Sequence, residues 1–443
     1  MKTAMKIAVV AAAILHSPFS ILNSTAHGAV IEQAIVRQQW PWSTDVKVEY
    51  KLSGVTNPVD IVVRAFNGDK ELDSSRLDAA ITGDRYGVSE DGVGSLVIDP
   101  VAAFGTSKVA LANFKVKLTL VENPAMSDVL YRIYDMSDAS KTPFPYVDVT
   151  RADLMNGKYG SVETNYANVV AGASTPLSDV LVWTGVTNYP GAKTTKLVMR
   201  KIAAKGKTWQ MGQTDGNFGT TGNAEQVHDV TLTKDYFIGV YPVTQEQYRK
   251  LTRGSWSGSG HTGDANPIET ALYTVFRSVV TNGISANLFG DVEVADFPTE
   301  AQWEFACRAG TTTELYTGNA LSSANLDPIA WYSGNSGNNT QEVGLKLPNA
   351  YGLYDMVGNV YEACRDYWTA NSNVPGYSNG SAVTDPCVET IQSDTKDGSG
   401  NVRHVVRGGC FSLNNYISTS AGRNGYAGGW NACGFRLAFT IDE

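Results

Sequence analysis

Residues 298–310 read PTEAQWEFACRAG, and this stretch decides how the C-terminal part of the chain is organised. Thr299 stands where its hydroxyl can accept the amide of Gln302, while the Gln302 side chain reaches back to the Thr299 amide, the reciprocal cap that starts a helix. Trp303, Ala306 and Cys307 then fall on one face, so the helix is expected to pack on a core through that face. VTQEQY, residues 243–248, repeats the device with Thr244 and Gln247. Around both helices the sequence is loop-rich, with Gly, Asn and Ser between the periodic segments.

Upstream the pattern changes. In DVKVEYKL, residues 45–52, Val46, Val48, Tyr50 and Leu52 alternate with polar or charged neighbours. NFKVKLTLVE, residues 113–122, does the same with Phe114, Val116, Leu118 and Leu120. A period of two is that of a half-buried strand, and FNGDKE, SEDGVGS and VENPAM supply turn residues between the runs. From about Ile31 to Ser178 we expect an antiparallel β-sandwich, immunoglobulin-like in broad class. Trp40 and Trp42 in QQWPWS either bound that core or form an exposed aromatic patch. The small, polar ANVVAGASTPLSD, residues 167–179, marks a change of unit between about 170 and 195.

With 443 residues, of which 42% are hydrophobic, the chain holds more than one core usually absorbs, so two folded units are expected. Lys and Arg number 35 against 44 Asp and Glu, a formal charge of -9, with no basic cluster to follow a phosphate backbone. Nucleic acid is therefore not an expected partner. The first residues, MKTAMKIAVVAAAILHSPFSILNSTAHGAV, carry lysines, an apolar run from Ile7 to Leu15, and small residues Ala26 and Gly28 before Ala29. His16, Ser17 and Pro18 end the run well short of the roughly 20 residues that a span requires. It reads as a secretory signal over 1–28, followed by a sandwich over 29–178, a linker over 179–194 and a second domain over 195–443. The mature chain is expected to be exported without a membrane span, to the periplasm, the cell surface or the exterior, where disulfides are permitted.

Cys307, Cys364, Cys387, Cys410 and Cys433 are the five cysteines, an odd number that leaves at least one unpaired within the chain. Beyond the signal the histidines are His228, His261 and His404, with no HxH or HExxH spacing for a His-built catalytic metal centre.

TKLVMRKIAAKGKTWQMGQ, EQVHDVTLTKDYFIGVYPVTQEQYRKL, FPTEAQWEFACRAG, AWYSGNSGNNTQEVGLKLPNAYGLYDMVGNVYEACRDYW and VVRGGCFSLNN with CGFRLA resemble, in order, the blocks of the formylglycine-generating enzyme, or sulfatase-modifying factor, family. The resemblance covers about residues 195 to 443. It implies an α+β chain whose second domain is loop-rich and C-type-lectin-like. The family's enzymes oxidise a cysteine in a Cys-x-Pro-x-Arg segment of a sulfatase, using O2 and a copper ion held by two thiolates, ligands that suit Cu(I). Carried onto this chain, the two thiolate positions are Leu413 and Ser418, so copper is not expected. Cys410 stands where the family usually has serine. The helical, His-bearing iron domain of the related ergothioneine-pathway sulfoxide synthases has no counterpart in the strand-patterned N-terminal part.

The resemblance also implies a calcium site, with side-chain oxygens from Asn359 and Glu362 and carbonyls of Val357 and Val360, a hard-oxygen set that Ca2+ accepts. The alternative is that Asn359 and Glu362 only hydrogen-bond their turn. Cys410 and Cys433 end segments that are neighbouring strands in this fold, which implies a structural disulfide, with free thiols as the alternative. Cys307 is expected to be buried and inert, and no partner follows for Cys364 or Cys387. The function expected is that of a non-catalytic binding member using the Arg407–Gly434 loop, with protein or glycan as ligand. Asn414, Asn415, Tyr416, Arg423, Asn424, Tyr426, Trp430 and Asn431 give it the adaptable composition of recognition loops, without an acid/base pair. The alternative is the family's cysteine oxidase.

Overall fold

The computed structural model describes residues 29–38, 43–106, 114–170, 180–213, 227–256, 258–270, 272–290, 294–318, 322–369, 381–392, 395–414, 418–428 and 431–441. The expected signal, Trp40 and Trp42, and Asn415, Tyr416 and Trp430 lie outside the described residues. The chain forms two compact units, Met1–Asp128 with Thr150–Lys158, and Val129–Val149 with Tyr159–Glu443.

The first unit holds strands β1 (Val30–Gln38), β2 (Val46–Ser53), β3 (Val59–Asn67), β4 (Lys70–Glu71), β5 (Ile81–Gly83), β6 (Gly92–Ile98) and β7 (Phe114–Glu122). They form one sheet in the order β1-β2-β6-β5 and another in the order β4-β3-β7. The period-two alternation is obeyed: Val46, Val48, Tyr50 and Leu52 of β2 and Val116, Leu118 and Leu120 of β7 are buried in one hydrophobic cluster with residues of β3 and β6. Each such aliphatic side chain contributes about 1.5–3 kcal/mol by leaving water. Two short helices, α1 (Ser74–Ala79) and α2 (Pro100–Phe104), start on Asp73 and Asp99, whose carboxylates accept the first-turn amides. A third, α3 (Arg151–Met155), is started by Thr150 and Asp153.

The second unit takes strand β8 (Val129–Asp135), which pairs antiparallel with β10 (Lys196–Ile202); β9 (Tyr146–Thr150) flanks β8. That pairing makes the compact division fall earlier in the chain than the composition change near residues 170–195. The sheet continues through β13 (Tyr236–Gly239) to β19 (Ala438–Thr440), so the last described strand closes against the middle of the unit. β11 (Lys207–Met211), β12 (His228–Leu232) and β15 (Val383–Thr384) make a second sheet. β14 (Tyr361–Tyr367), β16 (His404–Arg407), β17 (Arg423–Tyr426) and β18 (Cys433–Gly434) make a third, in the order β17-β16-β14-β18. The helices are short: α4 (Tyr166–Val169), α5 (Gln245–Thr252), α6 (Tyr273–Ser278), α7 (Ser285–Phe289), α8 (Glu300–Arg308) and α9 (Ser323–Leu326). The unit is a sheet-rich mixed α+β fold, and the third sheet with α8 positions the site.

Candidate functional site

Helix α8 opens with the expected cap, the Gln302 amide donating to Thr299 Oγ1 at 3.1 Å and the Thr299 amide to Gln302 Oε1 at 2.9 Å. Trp303, Ala306 and Cys307 are buried, as their spacing predicts, but so are Glu300, Glu304 and Arg308 on the other face. Buried charges require partners. Arg423 of β17 grips Glu300 through two bonds of 2.8 and 2.6 Å, Arg308 meets Glu304 at 2.8 Å, and Arg407 of β16 donates to Glu304 and to the carbonyl of Gly422. The Glu300 amide also donates to Asp366 of β14 at 2.7 Å. Asp366 is deeply buried, and its carboxyl is pushed up to about 6 by burial and by the charge of Glu300. Arg423 is therefore an internal clamp rather than a loop contact: its guanidinium pairs the buried carboxylate of Glu300.

Tyr426 is likewise inside, 1% exposed, in the cluster that holds Tyr361, Phe411 and Phe435. Asn424 is half-buried and donates to the Tyr361 hydroxyl at 3.4 Å, and its own Oδ1 accepts the Gly425 amide. Of the residues expected to face a ligand, Asn414 and Asn431 are the ones that are described and exposed. Arg423 and Tyr426 were expected on the loop surface from composition alone, and the structure places both in the core.

The turn after β16 is fixed by Gly408 and Gly409, at φ 89 and 74. A Cβ on Gly408 would lie 2.9 Å from the Met356 carbonyl, and one on Gly409 2.5 Å from Ser418 Oγ, so neither position admits a side chain without displacement. The Gly408 carbonyl accepts the Gly358 amide and the Phe411 amide donates to the Asn359 carbonyl. Cys410 and Phe411 consequently point into the core. Leu413 packs half-buried against the same cluster, and Ser418, Thr419 and Ser420 are wholly buried. The side chains at the two positions that the resemblance implies for the family's thiolates are thus an aliphatic group on the core and a hydroxyl beneath the surface.

All five cysteines are free thiols. Burial raises every one of them, Cys307 to about 12, so none is poised as a thiolate near neutral pH. Cys410 and Cys433 share one core cluster, and the charge of Cys410 adds to the upward push on Cys433. Cys307 is buried, as its helical position implies, with its thiol 3.8 Å from Ser420 Oγ and within reach of the charges of Arg308, Arg407 and Glu304.

Asn359 and Glu362 can be tested as calcium ligands on their present partners. Glu362 accepts Arg436 Nη2 at 2.7 Å on one oxygen, and Arg436 Nε at 2.9 Å with Trp303 Nε1 at 2.7 Å on the other. Asn359 holds the Gln341 backbone from both ends of its amide, at 3.0 Å each. A guanidinium bound through both carboxylate oxygens already neutralises Glu362, and a second cation there would face it directly. In this arrangement the two side chains of the set are committed to protein partners, Asn359 to its turn and Glu362 to Arg436 and Trp303, and do not fit calcium as they stand.

Two further loops reach the same place. The Ser333 amide donates to the Leu413 carbonyl at 2.9 Å and Ser336 Oγ to the Phe411 carbonyl at 2.7 Å. His261 sets its ring edge-on to Phe411 at 4.8 Å, with Nδ1 2.9 Å from Asn339 Oδ1, and buried Glu269 accepts the amides of Gly260 and His261. His261, Asn338 and Asn339 belong to this face and escaped the reading of the C-terminal loop. The signal that marks them is the lack of charge in GSWSGSGHTG and AWYSGNSGNNTQ.

A family model described as the sulfatase-modifying factor enzyme 1-like domain matches residues 190–441. The chain is 28% identical over 206 residues to the chaperone protein LppX of Paenibacillus barcinonensis, covering 36% of this chain and 71% of that one. It is 39% identical over 87 residues to the formylglycine-generating enzyme of Mus musculus, 17% of this chain and 23% of the enzyme. The chain thus matches about a quarter of the length of that enzyme. Among solved structures, Treponema denticola variable protein 1 is similar at 24% identity and a TM-score of 0.42, over 56% of this chain and 96% of that one.

Proposed function

The chain belongs to the sulfatase-modifying factor enzyme 1-like family, and from that premise we propose that it is an exported, non-catalytic member that binds a ligand through the region of the Arg407–Gly434 loop. The observation that carries the reading is chemical. Leu413 and Ser418 stand where the resemblance puts the two thiolates of the family's oxidases, and of the chain's own thiols four are buried, Cys387 is half-buried, and all five are pushed up by burial. A thioether-free aliphatic chain and a hydroxyl give Cu(I) no soft donor pair. Anaerobic titration of the purified chain with Cu(I) tests this. Binding no tighter than to a variant lacking all cysteines is expected; stoichiometric, tight copper would contradict it.

The finer parts of the reading stand beside it. We read residues 1–28 as a removable signal and the first unit as an immunoglobulin-like sandwich, supported by its two sheets sharing one core. We also read Cys410 and Cys433, free thiols in this arrangement that share one core cluster, as a pair that bridges after export. Counting thiols on the denatured, unreduced chain checks the bridge: three accessible thiols support it, and five oppose it.

A further inference from the structure

We propose that Arg200, with the hydroxyls of Tyr131 and Tyr351, binds a small carboxylate. The inference concerns β8, β10 and the loop that carries Tyr351, and it holds whatever the Arg407–Gly434 loop binds. Six arginines are buried among the described residues. Five of them meet a carboxylate: Arg85 meets Asp78, Arg308 and Arg407 meet Glu304, Arg423 meets Glu300 and Arg436 meets Glu362. Arg200, 8% exposed, meets none among the described residues. Its Nη1 donates to the Leu130 carbonyl at 3.2 Å, its Cζ lies 4.8 Å from the centre of the Tyr131 ring, and its Nε is buried without a partner. A carbonyl and a ring face offset part of the cost of burying a guanidinium, but they leave its charge unneutralised and one N–H unbonded.

The surroundings suit an acceptor. Arg200 and Tyr131 are direct partners across the β8–β10 pair, so both side chains stand on one face of the sheet. Tyr131 Oη is buried with no hydrogen-bond partner; the Trp183 amide acts only on its acceptor side, which leaves the phenol proton to be donated. Gly352, at φ 77, keeps that hydroxyl uncovered, since an added Cβ there would lie 2.7 Å from the oxygen. Burial raises the Tyr131 and Tyr351 hydroxyls, and the Arg200 charge acts on both in the opposite direction. Both stay protonated near neutral pH and able to donate. Tyr351 is half-buried, which gives the group its way to water. One guanidinium neutralises one negative charge, so a monoanion is matched, whereas a phosphate dianion would keep excess charge in a dry place. A planar carboxylate fits the Nε edge of the fork, and the phenol hydroxyls can bond its remaining lone pairs.

Thermal melting of the full chain in sodium acetate, against sodium chloride at equal ionic strength and sodium phosphate at the same pH, tests the proposal. Acetate is expected to raise the melting temperature above the chloride reference along a curve that saturates in the millimolar range. In Arg200→Met, similar in length and uncharged, the acetate-specific rise should need at least about tenfold more acetate, the loss of a charge-assisted pair. In chloride that variant should melt no lower than the parent, because it removes an unpaired buried charge. Tyr351→Phe should keep the parent's melting temperature in chloride and weaken acetate about threefold or more. No acetate-specific rise, an equal rise in Arg200→Met, or a rise in phosphate larger than that in acetate overturns the inference. If Arg200→Met melts lower than the parent and no longer responds, Tyr351→Phe decides: an unchanged acetate dependence there overturns the site, and a weakened one supports it.

Discussion

Arg423 shows how little a residue's setting can be inferred from the composition around it. It sits in a stretch of Asn, Gly, Ser and Tyr that reads as an open loop, yet it is buried and bound to Glu300, 123 positions away. Arg423→Ala leaves Glu300 with only the more distant Arg407 at 3.4 Å and should cost about 3–5 kcal/mol in denaturant unfolding. Asn431→Ala, exposed, should cost less than about 0.5 kcal/mol. Asp366, whose carboxyl sits near 6 in the folded chain, supplies a pH prediction. Its folded value lies above the unfolded one, near 3.9, so the folded state holds the proton more tightly. Its contribution is full below about pH 4 and is lost as pH rises to about 6, on the order of 2–3 kcal/mol. Stability measured across that window should fall less steeply in Asp366→Asn than in the parent; an equal slope would show that Asp366 does not titrate there.

At the level of elements, the turn between β16 and the loop is where backbone conformation and packing coincide. Gly408→Ala adds a methyl against the Met356 carbonyl at a φ of 89, whereas Gly206, at φ 73, has nothing within 4 Å of the added carbon. We expect Gly206→Ala to cost about 1 kcal/mol and Gly408→Ala clearly more, by chemical denaturation. Equal costs would mean that the turn relaxes. The local devices were legible in the sequence: both capping boxes, the Trp303–Ala306–Cys307 face, and the alternation in β2 and β7 are short-range and obey fixed periods. The polar face of α8 was not, because Glu300 and Glu304 look solvent-bound until Arg407 and Arg423 arrive from strands a hundred residues on. Glu362 was expected as a metal ligand from the family resemblance, and its guanidinium partner, Arg436, 74 positions away, was equally out of reach of any local pattern.

For the whole molecule, the assignment of β8 to the second unit has a consequence for dissection. A fragment beginning at residue 195 lacks the strand that pairs with β10 and that buries Tyr131 and Ile133. A fragment beginning at 129 keeps it. Soluble expression and cooperative melting are expected of the second and not of the first; equal behaviour would show β8 to be dispensable. The candidate site was legible in sequence only in part. Leu413 and Ser418 at the thiolate positions were implied by the family resemblance, but the meeting of three loops at His261, Phe411 and Ser333 depends on tertiary contacts that no local pattern encodes. The central claim is that this family member is a binder and not an oxidase. The most direct measurement incubates the reduced, Cu(I)-supplied chain with O2 and a Cys-x-Pro-x-Arg peptide and follows the peptide by mass spectrometry. The peptide is predicted to keep its cysteine, apart from disulfide formation; conversion of that thiol to an aldehyde, with turnover beyond one peptide per chain, would contradict the account.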